Sequence, residues 1–167
     1  TSQTELGTES GDAIKESGKE EELELTIPLD PVFTGDAQQF IDFMKEGIPL
    51  AKANNIFPSV MMAQAMLESD RGLSDLTTTN HNLFGIKGTY KGQGSSWATL
   101  EDTGSGDFYT INDTFRAYPS YYTSIADYIE LLNWEHYVNA GVTQAKTPQE
   151  QIQAIKDAGY ATDSTYV

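Results

Sequence analysis

The apolar positions of the chain change period twice: helical first, then alternating, then helical again. Asp36 stands where a helix N-cap belongs, with Gln39 three residues on, as in a capping box. Phe40, Phe43, Met44, Leu50 and Ala51 then fall on one stripe, and Pro49 is expected to kink or divide this helix. A second helix is predicted from Pro58 to about Asp70, with proline in the first turn and Gly72 as the stop. At 100° per residue its apolar positions, Val60 to Ala63 and Ala65 to Leu67, cover nearly the whole circumference, the mark of a buried central helix. Glu68 interrupts that pattern, on the side already occupied by Met61 and Gln64.

Residues 77–96 lose all periodicity and read as a loop rich in Gly, Asn and Thr around Leu83-Phe84. The period then drops to two. Trp97–Glu101 and Phe108–Ile111 flank the turn sequence DTGSGD, which predicts a β-hairpin, with Phe115–Tyr118 as a third short strand. After Pro119, Ile125, Tyr128, Ile129 and Leu132 return to helical spacing. A last helix opens on the capping box Thr147-Pro148-Gln149-Glu150 and closes at Gly159, while 134–146 carries no clear pattern and no segment repeats. The chain is therefore expected to be α+β, a helical body with one small β excursion between helices.

Composition narrows this picture. The 167 residues suffice for one domain with a true core, and no cysteine is present, so disulfides, thiolate metal sites and a cysteine nucleophile are excluded. No run approaches the roughly 18 apolar residues of a membrane span. The formal charge of −15 argues against nucleic acid as a partner, which needs clustered Lys and Arg. Residues 1–24 hold eight acids against Lys15 and Lys19 and almost no large apolar residue, so 1–25 is expected to be an acidic disordered tail and 26–167 the folded domain.

Candidate chemistry centres on Glu68. A carboxyl on a buried helix has its pKa raised by desolvation, and the helix C-terminus adds partial negative charge, so the side chain suits a general acid. A helix-end glutamate facing solvent or paired with Arg71 has the same local pattern. Glycosidic cleavage commonly uses two carboxyls, and Glu101, Asp102, Asp107 and Asp113 lie on or near the hairpin, though each also reads as a solvated strand or turn residue. Among the aromatic residues, Trp97, Tyr118 and Tyr160 lie near the loops and hairpin and are favoured for sugar contact, whereas Tyr128 has the spacing of a core residue. His81 and His136 form no metal motif and no GxSxG elbow accompanies them, so neither a metal nor a cofactor is expected.

In this order the segments resemble glycoside hydrolase family 73, the endo-β-N-acetylglucosaminidases of bacterial peptidoglycan. PSVMMAQAMLESDRG resembles that family's helix carrying the catalytic glutamate, and NHNLFGIKG is similar to its Asn-Asn-Leu-Phe-Gly-Ile-Lys-Gly loop. FRAYPSYYTSIADYIELL resembles its Phe-Arg-x-Tyr turn and following helix, and GYATDSTY its late Gly-Tyr-Ala-Thr-Asp motif. The resemblance implies a lysozyme-like fold, a helical lobe and a β-hairpin lobe flanking a cleft. It implies hydrolysis of the β-1,4 bond after N-acetylglucosamine in wall glycan strands, for autolysis and daughter-cell separation. A muramidase or lytic transglycosylase, or a glycan-binding module without activity, are the alternatives. By position, Glu68 is the expected acid, Glu101 the hairpin carboxylate and Tyr160 a further catalytic group. Asn80, Asn82, Phe84, Gly85, Trp97, Tyr118 and Asp163 are expected to meet substrate. His81 departs from the family's second asparagine, Ser164 from its proline, and family chains continue into another helix where this one stops at Val167. A secreted, monomeric wall enzyme is implied. Because anionic wall polymers repel an acidic domain, a separate wall-binding module is expected.

Overall fold

The computed structural model describes residues 28–102 and 104–160, without the side chains of Glu101 and Asp102. The expected acidic tail, residues 1–25, and Asp163 lie outside the described residues.

Helix α1 (Ala37–Met44) starts where Asp36 Oδ1 accepts the Gln39 amide at 2.9 Å. Gln39 reaches back further than a capping box requires, and its Oε1 accepts from the amide of Thr34 at 2.9 Å. A 3-10 turn (Lys45–Gly47) leads into α2 (Ile48–Ala53), so Pro49 sits in the first turn of a new helix, where it has no amide to lose. Helix α3 (Pro58–Ser69) ends on three successive left-handed residues, Asp70, Arg71 and Gly72. A Cβ on Gly72 would lie 2.3 Å from the Phe33 ring, so this glycine serves both the backbone turn and the packing of the lead-in strap. Phe33 anchors that strap among Phe40, Phe43 and Tyr121, while Asp30 accepts the Tyr121 amide at 2.9 Å.

Two expectations need correction here. The loop assigned to 77–96 is shorter. Helix α4 (Asp75–Asn80), capped by Ser74 Oγ on the Thr77 amide at 3.1 Å, occupies its start, and strand β1 (Gly94–Asp102) its end. Nor do Phe115–Tyr118 form a third strand. Phe115 and Arg116 finish β2 (Phe108–Arg116), which pairs antiparallel with β1 in a sheet of two strands. The polar run Asn112-Asp113-Thr114 stays extended because its backbone pairs with Ala98, Trp97 and Ser96.

Helix α5 (Tyr121–Leu132) is capped by Ser120, and the segment without pattern holds α6 (Glu135–Asn139) and a 3-10 turn (Val142–Gln144). In α7 (Pro148–Asp157) Thr147 Oγ1 accepts the Glu150 amide at 3.1 Å, and Gly159 at φ 85° ends the element. Gln151, fully buried on α7, accepts from the Phe57 amide at 2.8 Å and donates to the carbonyls of Asn55 and Val142, both at 2.9 Å. One amide thus ties α7 to the α2–α3 turn and to the second 3-10 turn.

The core runs through α1, α3 and α5 to the loop 80–88. Tyr128 stacks on Phe84 at 3.9 Å between centroids and 5° between planes, a core position as its spacing suggested. Helix α3 is not buried all round. Val60, Met61 and Ala65 are enclosed, whereas Ala63 is exposed and Leu67 is 57 % exposed. The neighbours of α3 cover only one side of it, so apolar composition all round overstated its enclosure.

Candidate active site

Glu68 sits in the last turn of α3, half-buried, at the wall of a cleft of about 390 Å³. Four residues earlier on the same face, Gln64 is buried and accepts a hydrogen bond from the Tyr128 hydroxyl. Glu68, one turn further along, lines the cleft together with Phe84 of the stack. The facing wall is the loop 80–88, and there Gly85 carries the decisive geometry. Its φ is 65°, and a Cβ built on it would stand 2.7 Å from Glu68 Oε2. The carboxylate occupies the space a side chain would take, so the glycine both permits the turn and admits the acid into the cleft.

The loop is held by polar side chains that do not reach the cavity. Asn82, fully buried, donates from Nδ2 to the Ile86 and Arg116 carbonyls, both at 3.0 Å. Its Oδ1 accepts the amides of Phe84 at 3.3 Å and Ile86 at 3.1 Å, so the whole amide is satisfied. Asn80 Nδ2 donates to Ser95 Oγ at 2.7 Å, and the Asn80 carbonyl accepts the Tyr118 amide at 2.8 Å. Ser95 Oγ also accepts the Trp97 indole N–H at 2.9 Å. Tyr118 is 4 % exposed and gives its hydroxyl to Asp127 Oδ2 at 2.5 Å; burial first, and then the Asp127 carboxylate, push its phenol far above the usual range.

The structure therefore sorts the expected site residues into two groups. Glu68, Phe84, Gly85 and Tyr160 line the cleft. Asn80, Asn82, Trp97 and Tyr118 do not line it and instead shape the loop and hairpin beside it. Tyr160 donates its hydroxyl to the Phe84 carbonyl at 2.9 Å, fixing the cleft floor from the far side. Glu101 pairs with Tyr109 in the hairpin register, next along β1 from the lining residues Thr99 and Leu100. Of the other hairpin acids, Asp113 forms an ion pair with Lys87 at 2.9 Å.

Sequence reasoning missed part of the lining: Ile86, Lys87, Phe115, Arg116, Leu131 and Tyr137. Arg116 donates from Nη1 to Asp127 at 2.8 Å and from Nε to the Lys87 carbonyl at 3.2 Å, which joins hairpin, loop and α5. Its place between the hairpin and a proline was the available signal. Among the described residues no cluster of three or more His, Cys, Asp or Glu side chains suits a metal ion, and no helix is long and apolar enough to cross a membrane. His81 bonds Asp30 at 3.1 Å on the strap, and His136 lies 2.6 Å from the Ala158 carbonyl.

A half-buried carboxyl beside an aromatic floor in a cleft can exchange a proton with a bound ligand. The model of the mannosyl-glycoprotein endo-beta-N-acetylglucosaminidase family matches residues 45–167. The chain belongs to this family. The glucosaminidase domain is 40 % identical over 140 residues to an N-acetylmuramoyl-L-alanine amidase domain-containing protein of Staphylococcus aureus, covering 78 % of this chain and 22 % of that one. It is 39 % identical over 125 residues to an autolysin of Enterococcus faecalis, covering 71 % and 17 % respectively. The catalytic domain of the autolysin Auto from Listeria monocytogenes superposes with a TM-score of 0.62 at 34 % identity, over 90 % of this chain and 87 % of that domain. The fold is thus the lysozyme-like one expected for glycoside hydrolase family 73. The chain spans about a fifth of the length of the two curated relatives.

Proposed function

We propose that this glucosaminidase domain hydrolyses the β-1,4 bond after N-acetylglucosamine in peptidoglycan, with Glu68 as proton donor. The observation that carries the reading is the approach of the Glu68 carboxyl to Gly85, which opens the floor of the cleft to it. Glu68 passes its proton to the glycosidic oxygen as the bond to the anomeric carbon breaks. The sugar left behind develops oxocarbenium character and needs an electron pair from its other face.

Two routes supply that pair. In one, Glu101 removes a proton from water, which attacks with inversion and requires carboxyls roughly 6.5–9.5 Å apart. In the other, the substrate's acetamido oxygen attacks, closes an oxazolinium ion, and water later opens it with net retention. Of the two expected tyrosines, Tyr160 supports the second route, because it lines the cleft and Tyr118 does not. Asn80, Asn82, Trp97 and Tyr118 serve substrate through the loop and hairpin they brace, and Asp163 is assigned to the same cleft through its motif. The domain works as a monomer in the wall of its host, outside the membrane, and a separate wall-binding module holds it there. The acidic tail weakens engagement with anionic walls; equal wall binding and activity at low salt after deletion of residues 1–24 ends that idea.

Mass spectrometry of fragments released from purified peptidoglycan tests the reading. Reducing-end N-acetylglucosamine is expected, and Glu68→Gln abolishes release. Reducing-end N-acetylmuramic acid or its anhydro form points instead to the muramidase or transglycosylase chemistry. Glu101→Gln leaves measurable activity on the substrate-assisted route; total loss equal to that of Glu68→Gln rejects that route.

A further inference from the structure

We infer that Trp134 is a sugar-stacking residue at the rim of the cleft, where it takes an outer unit of the glycan and sets the chain length the enzyme prefers. The inference rests on the glycan-cleaving reading of the cleft.

Three observations converge on it. First, Trp134 stands between two residues that line the cleft, Leu131 and Tyr137, and is hydrogen-bonded to both through its backbone. Its amide donates to Leu131 and its carbonyl accepts from Tyr137, each at 3.0 Å. Second, Trp134 is the N-cap of α6 and its side chain makes no capping bond. Local physics favours Ser, Thr, Asp or Asn there by about 1 kcal/mol, so helix formation does not account for an indole at this position. Third, the indole is 48 % exposed, yet it is not adrift. The Arg116 guanidinium lies over the ring at 5.7 Å, and Arg116 is itself a lining residue fixed by Asp127.

A large aromatic surface kept in water beside a cleft, and held there by a partly buried cation, is preorganised for a flat apolar ligand face. Sugar rings of the β-1,4 glycan present such C–H faces. Arg116 links the cleft to this platform, so a strand passing the scissile point meets Trp134 further along rather than at the bond that breaks. The residue then acts on binding of long chains and leaves the chemical step alone.

The test uses the Glu68→Gln protein, which binds without turnover, and titrates it calorimetrically with N-acetylglucosamine dimer and hexamer. Adding Trp134→Ala is expected to weaken hexamer binding about 5- to 20-fold and leave the dimer within twofold, while Trp134→Phe retains most of the hexamer affinity. In the active enzyme the same change raises KM for long glycans and leaves kcat within twofold. Equal affinities with and without Trp134, or equal weakening of dimer and hexamer, overturns the inference while the hydrolase reading stands. If the Glu68→Gln protein binds neither oligomer, the inference fails, and the fragment analysis above decides separately whether the hydrolase reading stands.

Discussion

Replacing Gly85 with alanine separates the two duties of that residue. At φ 65° the new Cβ costs about 1–2 kcal/mol of stability, because an L side chain in the left-handed region meets its own carbonyl. The contact with Glu68 adds little to that cost. The atom it strikes is the far end of a flexible side chain, and retreat by about 0.7 Å, from 2.7 to 3.4 Å, restores ordinary van der Waals distance. Activity is where the displacement tells. Misplacing a catalytic group by about 1 Å costs on the order of 100-fold, so kcat is expected to fall about 10- to 100-fold with KM little changed. Gly88→Ala is the control. Gly88 has φ 105°, but its Cβ would meet nothing closer than Arg116 Nε at 3.7 Å. It should show similar backbone strain in urea denaturation and keep its kcat on a soluble glycan. Wild-type kcat in Gly85→Ala, or an equal drop in Gly88→Ala, refutes the view that Gly85 exists to admit the acid.

Other outcomes follow from the same geometry. Gln151→Ala leaves the Phe57 amide and two carbonyls without partners, and at roughly 1 kcal/mol or more each should cost about 3 kcal/mol in denaturant unfolding. Gly72→Ala drives a Cβ into the Phe33 ring at 2.3 Å and should destabilise more than Gly85→Ala, since the obstacle is a packed ring rather than the far end of a longer side chain; equal midpoints would contradict this. Stability should decline above pH 10. Burial raises the phenols of Tyr118, Tyr121 and Tyr137, so the unfolded chain ionises first, near the ordinary value of 10.0, and is favoured as pH rises. Tyr118→Phe removes one such proton and should flatten that limb by about 1.4 kcal/mol per pH unit; an unchanged slope shows that Tyr118 ionises alike in both states.

Much of the domain was legible one residue at a time. Helix starts at Asp36, Pro58 and Thr147, the stop at Gly159 and the turn at DTGSGD are signals read within a few residues, since capping and turn conformation are local. Glu68 stood out because a carboxylate beside an apolar run carries a cost that composition alone reveals. Partnership between distant segments was not legible. Phe115-Arg116 read as a separate strand because its continuity with Phe108 depends on β1 across the ladder. Asn82 and Tyr118 looked like residues for substrate, yet their polar atoms are consumed by the Ile86 and Arg116 carbonyls and by Asp127. Which polar groups remain available depends on what folding brings beside them. The chain alone determined where most of the helices start, the hairpin and the absence of thiol chemistry, and it singled out Glu68 as the candidate acid. Only the tertiary structure decided that Gly85 faces Glu68, that Arg116 and Tyr137 enter the cleft, and that Arg116 lies over the Trp134 ring, because each is a contact between parts of the chain that no local pattern connects.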